Sequence, residues 1–260
     1  MSGDGFALPR FGIPLTPPGP RVVGEWLSTY DHEHWPEPPA GDGRPVMLVP
    51  GFLAGDQTLT RMAVWLRSGG FTLTRSGISW NTRCMEPTVG DLERRLELVV
   101  EQTGERALLV GQSRGGTIAR VLATLRPDLV GSLVTLGSPL LDQLAVKPHV
   151  WAPILTVGML GTFGVPGMFS IHCLNGDCCA RTRAAITAPF PDGVAFVSLY
   201  SRTDEIVNWE SCLDAAATQL EVDVSHLGMG FSREVWETIA AELRAAAATP
   251  PEPQAGSVVS

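Results

Sequence analysis

The sequence predicts an α/β fold, in which a mainly parallel sheet carries helices on both faces. Short apolar segments rich in valine and leucine alternate along the chain with longer segments whose apolar residues recur at helical spacing. This alternation is typical of parallel strands joined by covering helices. The chain is also long enough, because 260 residues of which 44% are hydrophobic can bury the core of such a domain.

The predicted elements follow one another in a regular order. Six strands are expected, over residues 45–49, 71–78, 106–110, 130–136, 194–200 and 220–224. Helices are expected over residues 56–68, 88–103, 116–125 and 233–247. Asp56 is a suitable N-cap for the first of these helices. A long insertion, residues 139–191, separates the strand that ends near Leu136 from the strand that starts near Val194.

Two regions flank the main domain, which is expected over residues 45–248. Residues 1–44 are rich in proline and are expected to form an arm with one short helix near residues 22–30. The end of the chain, residues 249–260, is rich in Pro, Gly and Ser and is expected to be a disordered tail.

The chain is acidic, with a formal net charge of -8 and a pI of about 5.1. Because no basic cluster is present, the composition argues against nucleic acid as a partner and against electrostatic attachment to anionic membranes. The N-terminal segment has neither the basic nor the apolar part of a secretory signal. A cytoplasmic location is therefore expected.

The segment Gly111-Gln112-Ser113-Arg114-Gly115 is the first candidate for a functional site. A predicted strand precedes it and a predicted helix follows it, as in a sharp strand-to-helix turn that carries a nucleophilic serine. Such a turn holds the serine Oγ above the sheet, where the free N–H groups of the helix also point. An ordinary glycine-rich turn is the alternative. The choice between them depends on whether a base and an acid lie within reach.

A serine hydroxyl needs an adjacent base to act as a nucleophile at neutral pH. Among the five histidines, His226 is the one that directly follows a predicted strand. Asp204 follows the preceding strand, so both side chains are expected at the carboxyl edge of the sheet, as is Ser113. Glu205 is the neighbouring acid to exclude, and Asp223 is poorly placed to point at the histidine. We therefore expect Ser113, Asp204 and His226 to form a catalytic triad.

Backbone donors for a tetrahedral oxyanion are expected beside Ser113. One is the N–H of Arg114, directly after the serine. The other is the N–H of Phe52, in the glycine-rich loop 50–55 that follows the first strand. An ordinary strand-to-helix connection is the alternative for this loop.

Together these motifs resemble the α/β-hydrolases, and among them the bacterial lipases and esterases. The resemblance covers roughly residues 45–247, and it is carried by Gly51-Phe52, 111–116, 201–204 and 226–228. It implies an α/β-hydrolase fold, a Ser-Asp-His triad, an oxyanion hole of two backbone amides, no cofactor or metal in the chemistry, and ester cleavage through an acyl-enzyme. Two positions depart from the family pattern. Pro50-Gly51 stands where the family usually has His-Gly, and Arg114 stands where it often has Gln or Met.

The insertion is expected to determine specificity. Residues 151–171 carry no charge and are as long as a membrane span, but two prolines and four glycines weaken a helix there, so no integral span is expected. We expect an apolar cap over Ser113, with Leu160 and Phe163 contacting the substrate. An excursion that packs on the core for structural reasons is the alternative.

The cysteines leave several possibilities open. Cys173, Cys178 and Cys179 cluster after His172, which suggests a metal or a disulfide. Zinc is the less favoured of the two, because the spacing is not that of paired CxxC knuckles and vicinal cysteines rarely bind one metal well. A disulfide within this loop, or from it to Cys212, fits better, and free thiols suit a chain without a secretory signal.

Three functions are compatible with these features. The first is hydrolysis of a small-molecule carboxylic ester with a lipophilic acyl or alkyl group, through an acyl-enzyme on Ser113. The second uses the same triad for acyl transfer to an alcohol or amine, or for thioester cleavage. The third is a binding protein on a hydrolase fold with an idle triad. An intact triad favours the first two over the third.

Overall fold

A computed structural model describes residues 20–28 and 35–248 of the chain. One six-stranded sheet is formed by β1 Pro45–Val49, β2 Thr72–Arg75, β3 Ala107–Gln112, β4 Val130–Leu136, β5 Ala195–Tyr200 and β6 Thr218–Glu221. The spatial order is β2-β1-β3-β4-β5-β6, and every neighbouring pair is parallel. The carboxyl ends of the strands therefore lie along one edge of the sheet, with β3 near its middle.

The sheet separates two apolar cores, because successive side chains of a strand point to opposite faces. On β1, Val46 and Leu48 belong to one core, and Met47 and Val49 belong to the other. Burial on both faces explains why the strands appear in the sequence as continuous apolar runs. The predicted parallel sheet with helices on both faces is confirmed.

The helices in the described residues are α1 Pro20–Ser28, α2 Thr60–Ser68, α3 Met85–Thr103, α4 Arg114–Leu125, α5 Trp151–Thr162, α6 His172–Asn175, α7 Ala180–Thr187 and α8 Arg233–Ala248. Helices α3, α4 and α7 pack in the core that contains Met47. Helices α1, α2 and α8 pack in the core on the opposite face.

Two of the differences between the expected and the observed element boundaries have clear structural reasons. Asp56 begins a 3-10 turn rather than capping α2, and its carboxylate accepts hydrogen bonds from the Ser76 hydroxyl and from the N–H of Gly77, the latter at 3.0 Å. The strand β6 ends before Val222 and Val224. Both valines are buried in the loop that follows, so the apolar pattern extends beyond the strand pairing.

The insertion between β4 and β5 contains α5, α6 and α7. Helix α5 has 12 residues, so it is about 18 Å long, whereas the apolar core of a bilayer is about 30 Å thick. No helix within residues 20–28 and 35–248 is long and apolar enough to cross a membrane.

A buried arginine on α4 holds the end of the insertion against the core. Arg120 on α4 pairs with Asp214 at 2.7 Å, and both side chains are almost fully buried. The same guanidinium donates to the carbonyl oxygens of Ala185 and Ile186 on α7. Helix α7 is therefore attached to α4 by polar contacts as well as by apolar packing.

The described part of the predicted arm packs on the core and consists of α1 and residues 35–44. Trp35 contacts the edge of Trp236, which stacks on Trp65 at 5.2 Å between ring centroids. The indole N–H of Trp65 donates to the carbonyl oxygen of Pro36 at 2.8 Å. Residues 1–19 and 29–34 and the predicted tail, 249–260, lie outside the described residues.

Helix α4 crosses β1 at very short range, and Gly115 makes this crossing possible. A Cβ on Gly115 would lie 2.1 Å from the carbonyl oxygen of Val49 and 2.5 Å from that of Pro50. Both are backbone atoms at the carboxyl end of the buried strand β1, so neither can move aside. The start of α4 is thereby held against the end of β1.

We expect Gly115→Ala to lower the free energy of unfolding by about 2–3 kcal/mol or more, as overpacking of a rigid core does. Gly90→Ala is the matched control, because a Cβ there has only Arg94 Nη1 within 4 Å, at 3.8 Å. It lies within α3 and should raise stability by up to about 1 kcal/mol. Urea unfolding followed by circular dichroism measures both. Equal effects of the two substitutions would contradict the close crossing.

Candidate active site

Ser113 lies in the turn between β3 and α4, near the middle of the carboxyl edge of the sheet. Its backbone angles are φ 54° and ψ -129°, a conformation that costs a residue other than glycine on the order of 1–3 kcal/mol. Its N–H donates to the carbonyl oxygen of Leu136, at the end of β4, at 2.8 Å. The half-buried serine is therefore strained and held by the neighbouring strand.

Asp204 and His226 form a short, buried hydrogen bond. Asp204 Oδ2 lies 2.7 Å from His226 Nδ1, and each residue is only 4% exposed. The other carboxylate oxygen, Oδ1, accepts the N–H groups of Ile206 at 2.8 Å and Val207 at 2.7 Å. Both oxygens of Asp204 are thus engaged, which fixes the orientation of the carboxylate and of the ring.

The two competing acids have other contacts. Asp223 is exposed and pairs with Arg21 of α1 at 2.7 Å. Glu205 accepts the backbone N–H of His226 at 3.2 Å. Of the three acids near the histidine, Asp204 is the one that contacts the imidazole ring.

The end of β4 connects the Asp204–His226 pair to Ser113. Leu136 accepts the N–H of Ser113. A Cβ on the next residue, Gly137, would lie 3.1 Å from Asp204 Oδ2 and 3.2 Å from His226 Nδ1. The serine and the pair therefore contact consecutive residues of one strand end.

Gln112 makes a second connection between these parts of the site. Its side-chain amide, directly before the serine, donates to the carbonyl oxygen of His226 at 3.0 Å. The histidine loop is thereby attached to the residue that precedes Ser113.

The environment of His226 favours its protonated form. Burial alone lowers the pKa of an imidazole, but the charge of Asp204, its hydrogen bond and the charge of Glu205 outweigh burial. The pKa of His226 is therefore raised above its ordinary value of 6.5. Since a general base must be neutral, a reaction that uses this histidine should require a somewhat higher pH than an unperturbed imidazole would.

The loop after β1 lies against Ser113. A Cβ on Gly51 would be 3.2 Å from the serine Cβ and 3.9 Å from its Oγ. Phe52 follows Gly51 directly in this loop, and its role as an oxyanion donor stays a prediction. Arg114 is the first residue of α4, so its N–H belongs to the donors that have no partner within the helix. The predicted oxyanion donors therefore flank the serine.

Asn81 braces this loop. Its side-chain amide donates to the carbonyl oxygen of Pro50 at 2.7 Å, and its backbone N–H donates to that of Ala54 at 2.8 Å. The residue is 1% exposed. The loop that begins at Pro50-Gly51 is thus held by a residue from another segment.

The side chain of Arg114 turns away from the serine. It donates to the carbonyl oxygen of Arg83 at 2.7 Å and lies 5.4 Å from the ring centroid of Phe169 in the insertion. Burial lowers its pKa to about 10, and the nearby sulfurs of Cys84, Cys179 and Cys173 oppose this change. Arg114 therefore remains a cation at neutral pH and contacts the insertion.

The insertion packs directly over the two loops that flank Ser113. Its buried apolar residues form one cluster with Leu53 of the loop after β1 and with Ile206 and Val207 beside Asp204; the members from the insertion are Val150, Ile154, Val157 and Phe169. The rings of Phe52 and Phe169 are 6.3 Å apart. We call the insertion the cap below; that it covers Ser113 stays a prediction.

The two predicted substrate contacts lie on the exposed side of this cap. Leu160 is 39% exposed and Phe163 is 85% exposed, and neither belongs to the buried cluster. They share this exposure with Leu155, Met159, Val165 and Ile171. Their contact with substrate stays a prediction.

Several residues of the site were not found from the sequence. Asn81 is positioned by tertiary contacts that leave no local pattern, and the sequence analysis named Glu205 only as an acid to exclude. Glu25 on α1 accepts hydrogen bonds from the N–H and the hydroxyl of Ser225, directly before His226. Gln112 could have been found from the sequence, because it lies inside the pentapeptide 111–115, directly before the serine.

Two of the other four histidines lie in the insertion, and two lie outside the described residues. His149 and His172 are exposed residues of the insertion. His32 and His34 lie outside the described residues.

The five cysteines are all described and all free thiols. Cys84, Cys173, Cys178 and Cys179 lie close together, and Cys212 is buried apart from that group.

No family model matches the sequence. Solved structures match the fold over most of the chain. A lipase from Bacillus licheniformis, in its mature form, superposes with a TM-score of 0.59 and 13% identity, covering 79% of this chain and 94% of its own. The chain has the α/β-hydrolase fold.

Two further structures have the α/β-hydrolase fold in common with this chain. A metagenome-derived lipolytic enzyme gives a TM-score of 0.55 at 12% identity and covers 80% of this chain and 96% of its own. A carboxylesterase from Bacillus subtilis gives 0.50 at 14% identity and covers 79% and 85%. At these identities the likeness establishes the fold, and the reaction must be argued from the site.

We expect Asn81→Ala to slow the reaction at Ser113 about 10- to 100-fold, because misplacement of one oxyanion donor has effects of this size. Turnover of p-nitrophenyl acetate measures it, with KM little changed. Gln219→Ala is the control, since it removes an amide-to-carbonyl hydrogen bond of the same kind to Asp214. A native rate for Asn81→Ala, or an equal loss in the control, would contradict a bracing role.

We expect Glu205→Gln to lower the pKa of His226, because it removes a negative charge that favours the imidazolium form. An NMR titration of the His226 ring measures the pKa directly, and the resonance is assigned by its loss in His226→Gln. Glu237→Gln changes the same charge on α8, where Glu237 pairs with Arg233, and should leave the pKa unchanged. A rise in Glu205→Gln would refute the electrostatic account.

Proposed function

We propose that this protein is a serine hydrolase that cleaves carboxylic esters with a lipophilic acyl or alkyl group, as lipases and esterases do. The observation that carries the proposal is the 2.7 Å hydrogen bond between Asp204 and His226 at the same sheet edge as the strained Ser113. Each residue follows a different strand: Ser113 follows β3, Asp204 follows β5 and His226 follows β6. Such convergence of nucleophile, base and acid has a specific chemical use.

In the proposed reaction His226 acts first as a base. Its Nδ1–H donates to Asp204, which leaves Nε2 as the acceptor for the Ser113 hydroxyl proton. Ser113 Oγ then attacks the ester carbonyl, and the N–H groups of Phe52 and Arg114 stabilise the oxyanion. Asp204 stays ionised throughout and stabilises the imidazolium.

The intermediate collapses when His226 returns the proton to the leaving alcohol. This leaves an acyl group on Ser113. A water molecule, deprotonated by the same histidine, attacks the acyl carbonyl in the second half of the cycle. Carboxylic acid is released and the serine is restored.

A lipophilic substrate is supported by the cap. Its inner face adds Ile154, Val157 and Phe169 to an apolar cluster beside the candidate oxyanion loop, and apolar walls with few polar groups are typical of sites for lipophilic ligands. Its outer side exposes further large apolar residues. The solved structures named above, a lipase, a lipolytic enzyme and a carboxylesterase, have the same fold, so this fold is compatible with ester cleavage.

The direct test is hydrolysis of p-nitrophenyl esters of increasing acyl length by the full chain. We expect measurable turnover by the native chain. The Ser113→Ala variant should have none, because it lacks the Oγ that attacks the ester carbonyl. Matched thioesters, and esters with an added alcohol acceptor, compare the acyltransferase and thioesterase alternatives. If the acyl group is transferred to the alcohol faster than to water, the proposed function becomes acyl transfer in place of hydrolysis. Absence of turnover on every substrate by folded protein would favour a binding function.

We expect Phe163→Ser to reduce kcat/KM for long-chain esters while leaving acetate nearly unchanged. Each CH₂ group that an apolar surface shields from water is worth about 0.8 kcal/mol, so the loss should grow with acyl length. Leu98→Ser is the control, because Leu98 on α3 is also exposed, at 60%. An equal fall for acetate and decanoate, or an equal effect in the control, would show that Phe163 does not contact the acyl chain.

A further inference from the structure

Four cysteine sulfurs converge between the cap and the core. Cys84 lies at the start of α3. Cys173 lies in α6 of the cap, and Cys178 and Cys179 lie in the 3-10 turn between α6 and α7. All four sulfur atoms lie within 4.8 Å of one another. The fourth member comes from a distant part of the sequence, which is why the spacing of the cap cysteines alone did not indicate a site.

The separations suit one tetrahedral ion. With metal–sulfur bonds of about 2.3 Å, neighbouring sulfurs of a zinc tetrathiolate are about 3.8 Å apart. The vicinal pair Cys178 and Cys179 has its sulfurs 3.8 Å apart, so the 3-10 turn at residues 177–179 presents both to one point. The sulfurs of Cys84 and Cys179 are closer, at 3.0 Å. They would move apart by about 0.8 Å when both bind the same zinc ion.

We propose that Cys84, Cys173, Cys178 and Cys179 bind one Zn²⁺ as a closed structural site that fastens the cap to the core. A tetrahedral set of four thiolates selects zinc or iron–sulfur centres. An iron–sulfur cluster would hold the four sulfurs farther apart, because iron and sulfide stand between them. Binding exchanges protons for metal: four thiols release four protons to the solvent as four Zn–S bonds form, and no electron is transferred.

The surroundings complement the charge of such a site. A zinc ion with four thiolates carries a net charge of -2. Arg114 is a cation close enough to Cys84, Cys173 and Cys179 to interact with them electrostatically. The Ser170 hydroxyl lies 3.5 Å from the Cys173 sulfur, where it can support a thiolate from outside the metal shell.

The position of the site gives it a mechanical role. Three ligands belong to the cap, and the fourth follows Arg83, whose carbonyl oxygen accepts the Arg114 guanidinium. A bound metal would therefore fix the cap relative to the first turn of α4. The metal has no part in the proposed ester chemistry, so this inference and the proposed function can fail independently.

The test is metal analysis of the full chain, purified with reductant, loaded with Zn²⁺ and dialysed. We expect one zinc per chain by mass spectrometry, a chelator-dependent fall in Tm that Zn²⁺ reverses, and about tenfold or greater loss of bound zinc in Cys178→Ser. Cys178 is the exposed member, so its replacement disturbs the core least. Cys212→Ser is the matched control and should retain zinc. Zinc retained by Cys178→Ser, or absent from the native chain, overturns the proposal.

Cobalt substitution tests the ligand set without any variant. Co²⁺ bound to the native chain should give the intense visible bands of a tetrahedral ion together with sulfur-to-cobalt charge transfer. A spectrum without thiolate charge transfer overturns the proposal. It is also overturned if a Cys84–Cys179 disulfide is found and the reduced chain still binds no zinc.

Discussion

The close crossing of α4 over the carboxyl ends of β1 and β3 is the constraint on which the candidate site depends. Gly115 lets the helix start within contact of the carbonyl oxygen of Val49, and Ser113, two residues earlier, leads the chain into the helix through a strained turn with a positive φ. The same crossing brings the first N–H of the helix next to the loop after β1. One packing contact therefore places the nucleophile and both candidate oxyanion donors, and its energetic cost is carried by the apolar sheet around it.

The histidine loop is positioned differently, by charged contacts from several elements. Asp204 holds the ring, Glu205 accepts the backbone N–H of His226, and Glu25 of α1 holds Ser225. Arg21 binds Asp223 and the hydroxyl of Thr203, next to the loop that carries Asp204. The arm thus contributes to the geometry of the site, although it precedes the sheet and resembles a proline-rich extension.

The sequence predicts those parts of the site that follow strand ends. The alternation of apolar runs and amphipathic helices predicts a parallel sheet, and in such a sheet residues after β3, β5 and β6 must meet at one edge, which is why Ser113, Asp204 and His226 could be named. Contacts between distant segments were beyond prediction. Asn81 bracing Pro50, and Cys84 joining three cap cysteines, depend on how loops fold in three dimensions and leave no periodic signal. The exposure of Phe163 could not be predicted either. The preceding helix α5 is apolar around most of its circumference, so its sequence pattern does not show which side is buried.

Whether Ser113 is an activated nucleophile is tested most directly by covalent labelling of the native chain with an alkyl fluorophosphonate. Tandem mass spectrometry then maps the labelled residue. Phosphonylation requires a serine Oγ that a nearby base activates, and fluoride leaves as the O–P bond forms. We expect a single adduct on Ser113, no adduct in Ser113→Ala, and strongly slowed labelling in His226→Gln and Asp204→Asn. A folded native chain that is not labelled, or an adduct on any other residue, would contradict this expectation.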